Sequence, residues 1–229
     1  MSYRQELETA KKAALAAGQI LVEQKNNLNK SIFSSNTDIK LEADIVAEKL
    51  IKEILIDETS FPILAEESGQ SSDQLSNIFW VVDPLDGTAN YSRNIPICCV
   101  SIALIKNMEP VLGVIYDFSN NDLYEGSVNT SAMQNGLEIK VSDISNQGEG
   151  ILITGLPNKT DYSDEALLKM VKDFQGWRKV RMIGSAAIGS VYIASGKADV
   201  YKESRTYFWD VAAGAAIVQA AGGTASISN

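Results

Sequence analysis

Leu7, Ala10, Ala14, Ala17 and Leu21 return at steps of three and four residues, a spacing that predicts an amphipathic helix over residues 3–26. Asn26, Asn27 and Asn29 end it, and residues 31–38 read as polar and irregular. Ala43, Val46, Ala47, Leu50, Ile51, Ile54 and Leu55 define a second helix over 42–57. Apolar runs at 61–65 and 78–82 predict short buried strands, and the Ser, Gln, Gly and Asp of 68–77 predict a surface loop. From residue 95 to 141 the pattern becomes β-like. Segments 97–105, 111–116, 123–128 and 137–141 are separated by Asn107, by Ser119-Asn120-Asn121 and by Asn135-Gly136, which predicts an antiparallel meander.

Beyond the meander, strands and helices alternate. Strands are expected at 150–154, 180–183, 199–201 and 225–227, and helices at 163–174, 185–195 and 210–221. Ser163 is a plausible N-cap for the first of these helices, and Gly176, Gly196 and Gly222-Gly223 mark the ends of the three. The order predicts a layered α+β protein with a boundary near residue 140. Residues 1–140 would form an α+β subdomain with the meander sheet, and 141–229 an α/β subdomain. At 229 residues the chain buries roughly 70–75% of its unfolded surface and needs no disulfide. Its two cysteines, Cys98 and Cys99, are neighbours in a strand and point to opposite faces.

Composition removes several kinds of chemistry. The chain contains no histidine, which excludes His-based triads, bases and metal ligands. A net charge of −9 argues against a nucleic-acid backbone as partner. No apolar run approaches membrane-spanning length, and the first turn lacks the basic-then-apolar order of a signal peptide, so a soluble cytoplasmic protein is expected.

The stretch from Phe79 to Asn90 carries the most chemistry. Four apolar residues deliver Asp83 and Asp86 to the end of a buried strand, with Pro84-Leu85 between them and Gly87-Thr88 after. Pro84 stiffens the turn and restricts Asp83, while Gly87 permits a strained backbone and close approach of a ligand. Carboxylate oxygens on a rigid turn suit a hard cation such as Mg²⁺, and the amides after them suit a phosphate. Taken alone, Asp-Pro-x-Asp-Gly reads equally as a strand ending in an ordinary turn.

The stretch resembles the first signature of the inositol monophosphatase family, Asp-Pro-hydrophobic-Asp-Gly-Thr-x-Asn. Three further matches follow the family's order: Ala65-Glu66-Glu67-Ser68 upstream, Gly184-Ser185-Ala186-Ala187, and Trp209-Asp210-Val211-Ala212-Ala213-Gly214 with Ala221-Gly222-Gly223 behind it. The resemblance covers most of the chain. It implies the layered α/β/α/β/α sandwich shared with fructose-1,6-bisphosphatase, a homodimer, two or three Mg²⁺ ions, sensitivity to lithium, and hydrolysis of a small sugar or polyol phosphate monoester. The alternatives it leaves are a 3′-phosphatase of 3′-phosphoadenosine 5′-phosphate, a fructose-1,6-bisphosphatase, and a non-catalytic sugar-phosphate-binding regulator.

By that resemblance Glu66 and Asp83 hold one metal with the Leu85 carbonyl, and Asp83, Asp86 and Asp210 hold a second. Glu66 and Thr88 orient the attacking water, with Asp44 hydrogen-bonded to Thr88. The amides of Gly87 and Thr88 receive the phosphate. Asp86, Gly184, Ser185, Ala186 and Glu203 touch the alcohol, and Arg205 could bind a second anionic group. Each residue also has a plainer reading. Glu66 could be a surface carboxylate, Asp210 and Ser185 helix N-caps, Thr88 a turn cap and Arg205 a surface cation. Asp44 could belong to a solvated helix face with Glu42 and Glu48.

The chain departs from the family pattern in three places. It stops at Asn229, some thirty residues before family members usually end. Residues 127–132 lack the usual glycine-rich turn. Leu41 or Glu42 stands where a small hydroxyl residue is common.

Overall fold

A computed structural model describes residues 3–34, 39–72, 75–156 and 162–227. Helix α1 (Arg4–Glu23) buries the predicted alanine stripe, then breaks at Gln24 and gives a single further turn, α2 (Lys25–Leu28). Strands β1 (Ser31–Ser34) and β2 (Ile39–Leu41) pair antiparallel, so part of the stretch expected to be irregular is a hairpin. The rest of that stretch, 35–38, lies outside the described residues. Helix α3 (Glu42–Glu58) follows, then β3 (Ile63–Ala65) and β4 (Gly69–Gln70), the latter inside the segment expected to be loop. Strand β5 (Ile78–Asp86) runs four residues past its expected end and leads into the short helix α4 (Thr88–Ser92).

The meander comprises β6 (Cys99–Lys106), β7 (Glu109–Asp117), β8 (Asp122–Ser127), β9 (Thr130–Gln134) and β10 (Leu137–Glu138). Strand β9 corrects the sequence reading. Its Ser-Ala-Met core is too weakly apolar to register as a strand, yet it is held by pairing to β8. These strands with β3, β4 and β5 form one eight-stranded sheet in the order β10-β9-β8-β7-β6-β5-β3-β4, in which only β3 and β5 run parallel.

The remaining elements are β11 (Ile151–Thr154), α5 (Asp164–Gln175), β12 (Lys179–Met182), α6 (Ala186–Ala194), β13 (Val200–Tyr201) and α7 (Phe208–Ala220). Ser163 caps α5 as expected, accepting from the Ala166 amide. The three strands form a parallel sheet in the order β12-β11-β13. The two crossovers move in opposite directions across this sheet, so right-handed connections put α5 and α6 on opposite faces. Residues 225–227 form no strand, because no neighbouring chain offers them a ladder among the described residues.

Alternation along β5 and β6 divides the core. Trp80, Val82, Cys98 and Val100 pack with α1 and α3, whereas Phe79, Val81 and Cys99 pack with α6 and α7. The layers are therefore α1 and α3, the large sheet, α6 and α7, the small sheet, and α5. The sequence of α7, Ala-Ala-Gly-Ala-Ala, lets it lie close on β7. A Cβ at Gly113 would sit 2.2 Å from the Ala213 carbonyl oxygen. That contact sets the depth at which the first turn of α7, with Asp210, meets the sheet.

Candidate active site

The register of β5 against β6 slips between Asp83 and Asp86. The slip re-aims the chain, as β-bulges do. Leu85 turns into the α1–α3 core while Asp83 and Asp86 face the opposite layer. Gly87 then takes φ 89°, and a Cβ there would press within 2.7 Å of the Ile97 carbonyl, so the turn admits no side chain.

Asp86 is bonded to the start of α6. Its Oδ2 accepts from the Ser185 hydroxyl and from the Ala187 amide at 2.8 Å, and the Cys99 thiol lies 3.8 Å away. Ser185 is also the N-cap of α6, accepting from the Ile188 amide at 3.1 Å. Asn90, in the first turn of α4, ties the same junction. Its amide nitrogen donates to Ile97 and Ile183 carbonyls at 2.8 Å and to the Gly184 carbonyl at 3.3 Å. Sequence reasoning gave Asn90 no role, although it is the last residue of the signature.

Asp44 is not on a solvated face. It is 1% exposed at the third position of α3, where its Oδ2 accepts from the Leu41 amide at 2.7 Å. Its Oδ1 lies 3.0 Å from the Thr88 hydroxyl, which is also 3.0 Å from the Leu85 carbonyl. Asp210 likewise sits at the third position of its helix, not at the N-cap, and reaches back to the Tyr207 amide at 2.8 Å. Glu66 follows β3, its amide bonded to the Val82 carbonyl.

Burial raises the proton affinity of all five carboxyl groups, and neighbouring charges add to it in every one but Asp86. Burial pushes Asp44 up to about 6. Burial, then the charges of Glu67, Asp44 and Asp210, push Glu66 up to about 8. Burial and the Asp86 charge push Asp210 up to about 7. Asp83 is held well above the usual carboxylate range by burial and by Glu66, Asp86 and Asp210. Asp86 is raised by burial, against the bonds from Ser185, Ala187 and Ala186. The Glu66 and Asp83 carboxyl groups act on each other, Asp83 holding Glu66 down and Glu66 pushing Asp83 up. Among the described residues no three His, Cys, Asp or Glu side chains converge tightly enough to hold a metal ion as they stand. Asp44, Asp86 and Asp210 each accept from a backbone amide. The donor chemistry of Glu66, Asp83, Asp86 and Asp210 nonetheless fits a hard divalent cation: oxygen atoms only, from three chain segments, in partial burial.

Glu203 is raised by burial and accepts from the Tyr201 hydroxyl at 3.0 Å. It lies against Gly155, where a Cβ would fall 2.3 Å from its Oε1. Gly184 takes φ 72° beside Asn90. Arg205 is exposed in a left-handed conformation, φ 62°, and contributes to the proton affinity of neither Glu203 nor Asp210, so the structure does not bring it onto them. Tyr207, 58% exposed, stacks on Trp209 with ring centroids 4.9 Å apart, giving a flat aromatic rim beside Asp210.

Comparison with known proteins agrees with this geometry. The chain is 39% identical over 216 residues to a Nus factor SuhB of Xylella fastidiosa, covering 93% of this chain and 78% of that protein. It is 35% identical to a fructose-1,6-bisphosphatase/inositol-1-monophosphatase of Aquifex aeolicus, covering 95% and 83%. The structure of an inositol monophosphatase from Anabaena superposes with a TM-score of 0.84 at 34% identity, covering 97% of this chain and 83% of that one. The extragenic suppressor protein suhB of Bartonella henselae superposes with a TM-score of 0.87 at 32% identity, covering 95% and 85%. The model of the inositol monophosphatase family matches residues 2–227, and the chain belongs to that family.

Proposed function

We propose that this protein is a Mg²⁺-dependent phosphatase of small sugar or polyol phosphate monoesters. The observation that carries the reading is that Glu66, Asp86 and Asp210 all act on the buried Asp83 and raise its proton affinity, so the four share one field. Four carboxylates held so close are electrostatically costly without a cation, and phosphoryl transfer is mainly a matter of charge neutralisation and positioning. Glu66, Asp83 and the Leu85 carbonyl would hold one ion, and Asp83, Asp86 and Asp210 a second. Bound Mg²⁺ supplies charge that lowers the pKa of water and neutralises the leaving oxygen.

The chain's own residues do the rest. The Thr88 hydroxyl lies 3.0 Å from both the Asp44 carboxylate and the Leu85 carbonyl, and giving its single proton to Asp44 would leave its lone pairs free to accept from a water. Glu66 orients the same water from the facing turn. The amides of Gly87 and Thr88 receive the phosphate oxygens. Asp86, Gly184, Ser185, Ala186 and Glu203 would form the wall against which the alcohol lies, and Arg205 would meet a second anionic group.

Lithium inhibition, a homodimer and a cytoplasmic location belong to the same reading, with no nucleic acid and no membrane among the partners. Among the described residues no helix is long and apolar enough to cross a membrane. A non-catalytic binding role is the second reading, favoured by relatives that bear the name Nus factor.

Purified protein with Mg²⁺ is to be assayed for phosphate release from inositol phosphates, sugar phosphates, fructose 1,6-bisphosphate and 3′-phosphoadenosine 5′-phosphate. Turnover of a sugar or polyol monoester, abolished by EDTA, is expected. No release from any substrate with Mg²⁺ or Mn²⁺ overturns the reading in favour of the non-catalytic one.

A further inference from the structure

Asp44, Glu48 and Lys52 recur every fourth residue of α3 and so share one helix face. All three reach the loops that carry the candidate site. Asp44 meets the Thr88 hydroxyl at 3.0 Å. Glu48, 4% exposed, accepts from the Glu67 amide at 2.8 Å. Lys52 donates to the Ser68 hydroxyl at 2.7 Å and lies 3.9 Å from Glu48. Just before the helix, Lys40 of β2 pairs with the Glu67 carboxylate at 2.9 Å, whose side chain is 5% exposed.

These contacts converge on three consecutive residues, Glu66, Glu67 and Ser68. The Glu67 N–H belongs to the peptide that joins it to Glu66. With the Glu66 amide bonded to the Val82 carbonyl, the backbone on both sides of the Glu66 Cα is pinned. The side chain of Glu66 can then leave its direction only by changing rotamer. Glu67 and Glu48 are both buried beside this turn, an arrangement that needs paired cations. Lys40 and Lys52 offset them, one cation to each.

We propose that Glu48, supported by Lys52 and Lys40, is the positioning residue that aims Glu66 and fixes its separation from Thr88. One rigid helix thereby sets both groups assigned to the attacking water, Thr88 through Asp44 and Glu66 through Glu48. The inference rests on the phosphatase reading for what the positioning serves, but its test does not require turnover.

Calorimetric titration with Mg²⁺ alone is the test, on the full chain, with metal-free thermal melts to confirm folding. Glu48→Ala should weaken Mg²⁺ binding by about 10–100-fold, the range for removing a group that orients a metal ligand. Glu48→Gln keeps an acceptor for the Glu67 amide and should stay within about threefold of the wild type. Where hydrolysis is measurable, kcat should fall in Glu48→Ala with KM for the ester unchanged. A folded Glu48→Ala that binds Mg²⁺ like the wild type overturns the inference and leaves the phosphatase reading intact. Wild-type protein that does not bind Mg²⁺ overturns both. Should Glu48→Ala fail to fold, Lys40→Met decides: weaker Mg²⁺ binding restored in Lys40→Arg supports the inference, and unchanged binding overturns it.

Discussion

The Ser185 hydroxyl and the Ala187 amide both donate to one oxygen of Asp86, joining the end of β5 to the start of α6. One carboxylate oxygen is thus committed to structure, and the other remains for a cation or substrate. Ser185→Ala removes a charge-assisted bond and an N-cap together. The loss should be about 1–3 kcal/mol of stability, read as a lower Tm or denaturant midpoint. It should also reduce kcat more than it changes KM, because Asp86 loses one of the groups that hold its direction. A Ser185→Ala protein as stable as the wild type would show that the bond adds nothing.

Asp86→Asn separates charge from structure. The amide oxygen of Asn can still accept from Ala187 and Ser185, so the fold should survive. The lost charge should lower kcat by roughly 10²-fold or more, since a preorganised charge contact is worth about 3–4 kcal/mol in such sites. Full kcat at saturating Mg²⁺ would remove Asp86 from the metal assignment.

The carboxylate cluster was legible in the sequence because most of its residues lie in short runs. Asp83, Asp86, Gly87 and Thr88 are neighbours, and a buried strand ending in a stiff turn can place them in few ways. The fold was legible where periodicity is strong, in α1, α3 and β6. It failed where pairing overrides weak local preference, as in β9 and the β1–β2 hairpin. Asp44 and Glu48 looked like a solvated face because charge is usually exposed on a helix, and only tertiary contact shows both to be buried. Their four-residue spacing with Lys52 was the available signal. Asn90 was overlooked because its partners, Ile183 and Gly184, lie far along the chain.

Gly155 offers a way to alter the proposed alcohol wall without replacing a carboxylate. A methyl group at Gly155 would fall within 2.3–2.5 Å of the Glu203 carboxyl atoms, the far end of a flexible side chain. Gly155→Ala should therefore displace Glu203 at small cost in stability. The expected effect is a change of about 1–3 kcal/mol in kcat/KM that differs between alcohols, with Mg²⁺ affinity unchanged. Glu203→Gln should shift preference among the same alcohols. A uniform loss across every substrate in both variants would deny Glu203 a part in specificity.

Proton affinity gives the last prediction. Burial, joined by neighbouring carboxylates, pushes Asp44 up to about 6, Asp210 up to about 7 and Glu66 up to about 8, all above their ordinary range. A group whose folded pKa exceeds its unfolded value stabilises the fold below the unfolded pKa, and this contribution is lost as pH rises through the folded pKa. The metal-free protein should therefore lose stability progressively from about pH 4, where the carboxyls of the unfolded chain ionise, to about pH 8, where the last of the folded cluster does. Divalent cations bind the deprotonated cluster, so Mg²⁺ should bind more tightly as pH rises through the same window and should raise Tm most at its alkaline end. Thermal melts from pH 5 to 9, in EDTA and in excess Mg²⁺, read both effects. A metal-free Tm that stays level or climbs across that range, with a Mg²⁺ increment independent of pH, would mean that the carboxylates do not share a field that a cation relieves.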